Sequence, residues 1–466
     1  MNFYSFHQGK SFSTKDVSGE FKVRSPSNLD LELGRVIYSY SQIASITQSL
    51  QEGQTKWKQL SFSERKDIIL KGIDSIYQHK QEWFEIAQAE LGRTMVDLDA
   101  EWGQFDRFVI HFKSKLDFDF PLDREPRGVV AVVGTYIWPL VHSIQGACLA
   151  LLAGNAVILK PSEKSTLCSL KVVEWMSQYQ KIKDILSAVV GDRELGRRLV
   201  CYEGIQVVLF YGSFEVGMRI KQDTMSQPSK EVLLFLSAKN PSIVMDDAPD
   251  TCVDALIRDA FLSTGQHCRS ISQIWVQSGI YKSFLRKFHD ASKLFKIEDP
   301  ANGAFAGPLI DPSMLDRYLK FTGISEREGA SILMRGKPLE LKHKGNYITP
   351  TLAAFEHMTP ELLRKSISLQ TEILSPHVSI LRFNNEEDVE ALGKEMTHGL
   401  IASVWSIDNE VTQRIAKQLP FGQVSTNQSV LSWDASRSFQ SMKKSGNHAY
   451  HGPKLLEQFT VLKISG

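Results

Sequence analysis

The sequence predicts an α/β protein: a doubly wound parallel sheet, a second α/β unit beyond it, and a small third element. Three observations carry that. From residue 128 onward, short apolar runs alternate with helical segments. The run at 129–133 is apolar at every position rather than at every second one, so both faces of the strand are covered. Several runs end on a glycine (Gly134, Gly191, Gly212) at the turn into the next helix. A chain of 466 residues has room for two or three domains, at roughly 100–200 residues each.

Taken in order, residues 1–55 are polar and weakly patterned and read as a partly ordered lead-in. Ser61-Phe62-Ser63-Glu64 is a capping box, in which serine and glutamate each satisfy a free backbone N–H. Ile68, Ile69, Ile73 and Ile76 come next at helical spacing and Trp83, Phe84 and Ile86 open a second run, so 61–112 is mostly helix. Strands are expected at 129–133, 156–159, 186–190, 205–211 and 232–236, with a buried helix over 141–152 stopped by Gly154 and Asn155. The second unit runs from about 240 to 435, with strands near 243–245, 273–277, 378–383 and 402–406. Residues 113–127 are charged, contain proline and have no partner in this pattern. Residues 459–464 alternate like an edge strand that could pair with another subunit.

Composition excludes several functions. With 54 basic and 53 acidic residues the net charge is +1, which gives no field for nucleic acid or an anionic membrane. No apolar stretch approaches the roughly 18–20 residues of a membrane span, and residues 1–7 lack the order of a signal peptide. Five cysteines (Cys148, Cys168, Cys201, Cys252, Cys268) are odd in number and unpaired by spacing, as in a reducing compartment. The twelve histidines show no HExxH spacing, so no metal site is expected. The expectation is a cytoplasmic protein acting on a small molecule.

Ligands of an open parallel sheet bind at the carboxyl ends of its strands, where helix N-termini present free N–H groups. Three such ends carry suggestive residues: Lys160-Pro161-Ser162-Glu163, the stretch from Gly191 to Gly196, and Gly212-Ser213 through Gly217. They suit a nucleotide cleft, with Ser213 near phosphate oxygens and Lys160 with Glu163 on ribose hydroxyls. The same glycines also serve simple strand-to-helix turns, and the GxGxxG fingerprint is absent. In Gly265-Gln266-His267-Cys268-Arg269-Ser270 the flanking charges could favour a thiolate at Cys268. A lone cysteine is also commonly a small buried hydrophobe.

In order and spacing over roughly residues 55–450, the chain resembles the aldehyde dehydrogenase superfamily. The residues that carry this are Gly128 to Pro139, Gly154 to Glu163, Tyr211 to Gly217, Leu234 to Pro241 with Gly265 to Cys268, Gly307-Pro308-Leu309-Ile310, Gly345 to Leu352, and Glu372-Ile373-Leu374-Ser375-Pro376. Within the family it is most similar to succinylglutamate-semialdehyde dehydrogenases of arginine catabolism, through Gly134-Thr135-Tyr136, Val190-Gly191 with Glu194, and Ser445-Gly446-Asn447-His448.

The resemblance implies a Cys268 thiolate that attacks an aldehyde, a held oxyanion, hydride passing to NAD, and hydrolysis of the thioester by activated water. It implies Lys160 and Glu163 at the adenosine ribose, Ser213 at the pyrophosphate and Glu372 at the nicotinamide ribose, with Ser162, Gly191 and Gly212 also among the cofactor-binding residues. Glu163 would favour NAD over NADP by repelling a 2′-phosphate. It also implies an NAD-binding domain of 1–112 with 128–236 and a catalytic domain of 237–435. An oligomerisation hairpin of 113–127 with 436–466 would then form a homodimer or tetramer.

Departures from the family's pattern stand beside the matches. Ile137 occupies the place of the oxyanion asparagine, and Phe235 that of the general-base glutamate. Leu374 and Ser375 replace a Phe-Gly pair, and Ser438-Phe439-Gln440-Ser441 replaces a Pro-Phe-Gly-Gly segment. Losing one oxyanion donor costs roughly 10²–10³ in rate, and losing a general base roughly 10²–10⁴. Three readings are open: an aldehyde dehydrogenase of weakened activity, with His267 as a substitute base; an inactive relative that keeps NAD as a scaffold or sensor; or thioester transfer to an external thiol. Arg269 is a candidate partner for substrate carboxylates, or else a structural cation.

Overall fold

The computed structural model describes residues 1–114, 124–431, 433–434, 436–446 and 448–463. Two seven-stranded sheets dominate it. The first runs Glu231–Phe235, Val207–Tyr211, Val129–Val133, Ala156–Lys160, Leu186–Ala188, Ser5–His7 and Lys10–Phe12. Its first five strands are parallel, with Val132 opposite both Leu159 and Leu209. Every residue of Ala156–Lys160 and Val207–Tyr211 is buried, the signature of a sheet covered on both faces.

The second sheet runs Ser331–Met334, Thr351–Phe355, His377–Phe383, Ile271–Gln277, Asn240–Val244, Ile401–Trp405 and Gln423–Thr426. All its pairings are parallel except the Ser331–Met334 edge. Sequence reading missed three of these strands. Two of them, Ser331–Met334 and Gln423–Thr426, are short, half-polar edges. Thr351–Phe355 contains two alanines, whose strand propensity is low, and tertiary burial makes it a strand.

The N-terminal region is a correction: it is not a partly ordered lead-in. Strands Asn2–Phe3, Gly19–Arg24 and Glu32–Tyr38 form a separate sheet, and two more strands extend the first large sheet. Helix Gln42–Trp57 packs Ile43, Ile46, Leu50 and Trp57 inward at helical spacing. Polar residues diluted that stripe in the sequence. The Ser61 capping box is formed as expected, and the buried helix spans Pro139–Leu152 and closes before Gly154, which takes φ 93°. At the chain's end Thr460–Leu462 pairs antiparallel with Arg124–Pro126 of the same chain. Residues 115–123, Asn447 and Ile464, which the expected hairpin and the late motif include, lie outside the described residues. Among the described residues no helix is long and apolar enough to cross a membrane.

Buried carboxylates from other helices cap the helices that line the site. Glu101, on helix Met95–Ser114, accepts from the N–H groups of Leu140 (2.8 Å) and Val141 (3.3 Å) at the start of helix Pro139–Leu152. Glu90 does the same for Leu167 and Cys168 at the start of Thr166–Ser177. One turn before Glu101, Asp97 accepts from the backbone N–H of Ser263 at 2.6 Å and from its hydroxyl. Ser263 and Thr264 have φ of 55° and 57°, a left-handed conformation costing about 1–2 kcal/mol per residue. Asp97 holds that turn just ahead of Cys268.

Burial pushes the carboxyl pKa of Glu101 up to about 8. Its protonated form is therefore favoured in the fold, so its stabilisation is full below about pH 4.3, the unfolded value, and is lost as pH rises through about 8. Denaturant melts of the parent should weaken over that window, whereas Glu101→Gln, which keeps an acceptor, should show a flatter profile. Glu101→Leu, which strands both N–H groups, should cost about 2–4 kcal/mol.

Candidate active site

Two adjoining regions hold the candidate residues. The first is a cleft of about 440 Å³ at the carboxyl ends of the first sheet's strands. Lys160, Ser162, Glu163, Gly212 and Ser213 all line it. Lys160 is buried, and its Nζ donates to Glu163 Oε1 (2.9 Å) and to the Pro161 carbonyl (3.0 Å). Gly196 admits the lysine stem, since a Cβ there would lie 3.3 Å from Lys160 Cε. Ser213 caps helix Phe214–Asp223 by accepting from the Val216 N–H, so a helix N-terminus faces the cleft. Lys164, Arg193, Arg197 and Arg219 add positive charge to its lining. Arg193 lies in the Gly191–Gly196 stretch marked in the sequence; Lys164, Arg197 and Arg219 were not marked, because helix faces decide which of many scattered basic residues converge.

Gly191 and Glu372 do not line this cleft. A side chain at Gly191 would strike Leu195, which marks it as a packing glycine in the turn before the Asp192 cap. Glu372 is turned inward, and its Oε1 accepts from the Ala238 N–H at 2.7 Å. Burial pushes its pKa up to about 7, against backbone hydrogen bonding that favours the anion.

The second region is the surround of Cys268. The thiol borders two cavities of about 20 Å³, one shared with Glu372, the other with His142, Gln145, Tyr211, Arg269, Leu400, Trp433, Tyr450 and His451. Tyr211 also lines the larger cleft, so its ring is the wall between the two. Burial pushes the Cys268 pKa up to about 12, while Arg269 pulls it down and Glu372 pushes it up. Of the two readings of Cys268, a thiolate favoured by flanking charge and a buried apolar thiol, the structure supports the second, because desolvation outweighs one cation.

Arg269 is buried. Its Nε donates to the Val430 carbonyl (2.7 Å) and its Nη2 to Gln423 Oε1 (2.9 Å), with the guanidinium 4.7 Å from the Trp433 ring centre. Among the described residues no carboxylate forms an ion pair with it. Asp259, whose charge raises the Arg269 pKa, holds Ser429 and the Val430 N–H.

Ile137 and Phe235 are both buried. Ile137 precedes Trp138, which takes a left-handed φ of 45° at the start of helix Pro139–Leu152. Phe235 stacks on Tyr211 (5.1 Å) and meets Tyr450 edge-on (4.2 Å), so an aromatic wall stands where it lies. The histidines are the residues sequence reading placed least well. Neighbours on a loop rarely converge, yet ring nitrogens of His267 and of the distant His142 and the Cys268 sulfur all lie within 4.8 Å of one another. His267 Nδ1 accepts from the Arg269 N–H at 3.0 Å. His142 was not singled out, and no signal along the chain marks it; only the helix start brings it to the thiol.

Comparison with known proteins agrees with this architecture. The aldehyde dehydrogenase family model matches residues 13–465. An alpha-ketoglutaric semialdehyde dehydrogenase of Bacillus subtilis is 28% identical over 476 residues, covering 96% of this chain and 95% of that protein. Among solved structures, an NAD-dependent aldehyde dehydrogenase from Sinorhizobium meliloti superposes with a TM-score of 0.92 at 23% identity, covering 99% of this chain and 94% of the other. A betaine aldehyde dehydrogenase from Staphylococcus aureus, in complex with NAD+, gives 0.89 at 23% identity, with 99% and 94% covered.

With its thiol pushed up to about 12, Cys268 should react with iodoacetamide slowly at pH 8 and faster as pH rises, read at that residue by peptide mass spectrometry. Arg269→Gln should slow it further, because the arginine's charge lowers the thiol pKa. An unchanged rate would remove the arginine from the thiol's electrostatics.

Proposed function

Because the chain belongs to the aldehyde dehydrogenase family, we propose that it catalyses NAD-dependent oxidation of a carboxylate-bearing semialdehyde to the acid, through a thioester on Cys268. The observation that carries this is Arg269, a buried guanidinium without an acidic partner among the described residues, in the same cavity as the thiol. A buried cation is costly to leave uncompensated, and a substrate carboxylate would complete it. A succinylated semialdehyde of arginine catabolism is one substrate of this class, and the Bacillus relative's name denotes another.

The cleft residues fit a dinucleotide. Lys160 with Glu163 suits ribose hydroxyls, the Ser213 helix start and the added arginines suit phosphates, and the volume is that of an ordinary ligand pocket. When bound, NAD supplies the acceptor for the aldehyde hydride. The chain's own part is nucleophilic attack by Cys268, anchoring of the carboxylate by Arg269, and an apolar wall of Tyr211, Phe235 and Tyr450; water then cleaves the thioester, its hydroxyl going to the acyl carbon and its proton returning to the Cys268 sulfur.

A second reading is a catalytically inactive relative that retains NAD as scaffold or sensor. Phe235 favours it, because a phenyl ring locked between Tyr211 and Tyr450 activates no water. Assembly as a homodimer or tetramer belongs to the proposal as well.

Titration calorimetry with NAD should show binding, weakened about tenfold or more in Lys160→Ala. A semialdehyde carrying a carboxylate should then reduce NAD, with all turnover lost in Cys268→Ser. Absence of binding at millimolar NAD overturns the reading. Binding without turnover of any carboxylate-bearing semialdehyde moves the chain to the inactive reading, and turnover only with an added thiol moves it to acyl transfer.

A further inference from the structure

The oxyanion formed at Cys268 needs a hydrogen-bond donor, and the side chain at Ile137 carries none. A carbonyl carbon bonded to sulfur places its oxygen about 2.7 Å from that sulfur, so a donor about 4–5 Å from the sulfur is well placed to reach it. His142 meets that distance, with a ring nitrogen within 4.8 Å of Cys268 Sγ, and it lines the same small cavity. Its imidazole is buried against Tyr211, ring centres 5.0 Å apart. Among the described residues nothing hydrogen-bonds to either ring nitrogen, so the nitrogen nearer the thiol is free to carry the proton.

We propose that His142 is the oxyanion donor of this site, a neutral imidazole whose N–H holds the developing alkoxide as Cys268 attacks. The inference rests on the reading of Cys268 as the nucleophile. Sulfur and carbonyl carbon form the new bond, the carbonyl π electrons move to oxygen, and the thiol proton leaves to solvent. His142 keeps its own proton throughout and shares it with that oxygen. Its environment suits a donor better than a base. Burial first, and then Arg269, lowers its pKa to about 4, so it is uncharged at neutral pH and still carries one N–H. The other groups around it, His267, His451, Tyr211 and Tyr450, are also held in their neutral forms by burial. His267 accepts the Arg269 N–H at Nδ1 and so carries its proton on an unpartnered Nε2, but it lines the other small cavity, beside Glu372, and not the one in which the thiol meets Arg269.

The experiment monitors acylation of the intact protein by 4-nitrophenyl acetate, which needs the thiol and an oxyanion but neither NAD nor hydride transfer. His142→Leu should lower the acylation rate roughly 10²–10³-fold, and His142→Gln, which keeps an N–H donor of similar reach, should recover most of it. The pH profile of iodoacetamide alkylation at Cys268 should stay where it is in both variants. Equal acylation in parent and His142→Leu overturns the proposal. So does an equal loss in Leu and Gln variants with a shifted alkylation profile, which would make His142 a base. A parent that is alkylated at Cys268 but never acylated overturns it too. Normal acylation without NAD reduction would instead fail the dehydrogenase reading and leave this one standing. Thermal melts of the Gln variant separate loss of donor from loss of fold.

Discussion

Two carboxylates one helical turn apart, Asp97 and Glu101, tie the halves of the site together. Glu101 caps the helix that starts beside Ile137 and carries His142, while Asp97 holds the left-handed turn ahead of Cys268. Hydrogen bonds of this kind are worth roughly 0.5–3 kcal/mol each, comparable to the strain of that turn. Arg93 supplies the compensating charge, lowering the pKa of both acids against a larger effect of burial. Helix 95–114 is thus the part from which nucleophile and neighbouring imidazole take their relative position.

That placement sets the thiol in an apolar pocket. Tyr211, Trp433 and Tyr450 line its cavity, Phe235 packs against Tyr211 and Tyr450, and the Trp138 ring centre lies 4.2 Å from that of His267. In such surroundings each titratable group moves toward its uncharged form, the thiol upward and the imidazoles downward. Arg269 moves the same way, burial lowering its pKa to about 10, but it remains cationic at neutral pH, where it donates to Val430 and Gln423 and lies over Trp433. A fixed cation among neutral donors is an arrangement suited to an incoming anion.

Much of this was legible along the chain because it rests on local order. Fully apolar runs gave the parallel strands, the Ser61 box a helix start, and Gly154 a helix stop. The cleft around Lys160, Ser162, Glu163, Gly212 and Ser213 was readable for the same reason: strand ends and helix starts are adjacent in sequence. The N-terminal strands and Thr351–Phe355 were not readable, since partners far away in the chain, not their own composition, make them strands.

By itself, the sequence determined the order of elements, the apolar faces that stack them, and which side chains stand at 137, 235 and 268. Only the tertiary structure decided what those side chains do. Burial decided between the two readings of the Cys268 thiol, helix packing brought His142 to the sulfur, and Asp259 was spent on Ser429 and Val430 rather than on Arg269. The physical reason is that desolvation and hydrogen-bond pairing depend on surroundings in three dimensions, and the residues supplying those surroundings are scattered from 97 to 451 along the chain.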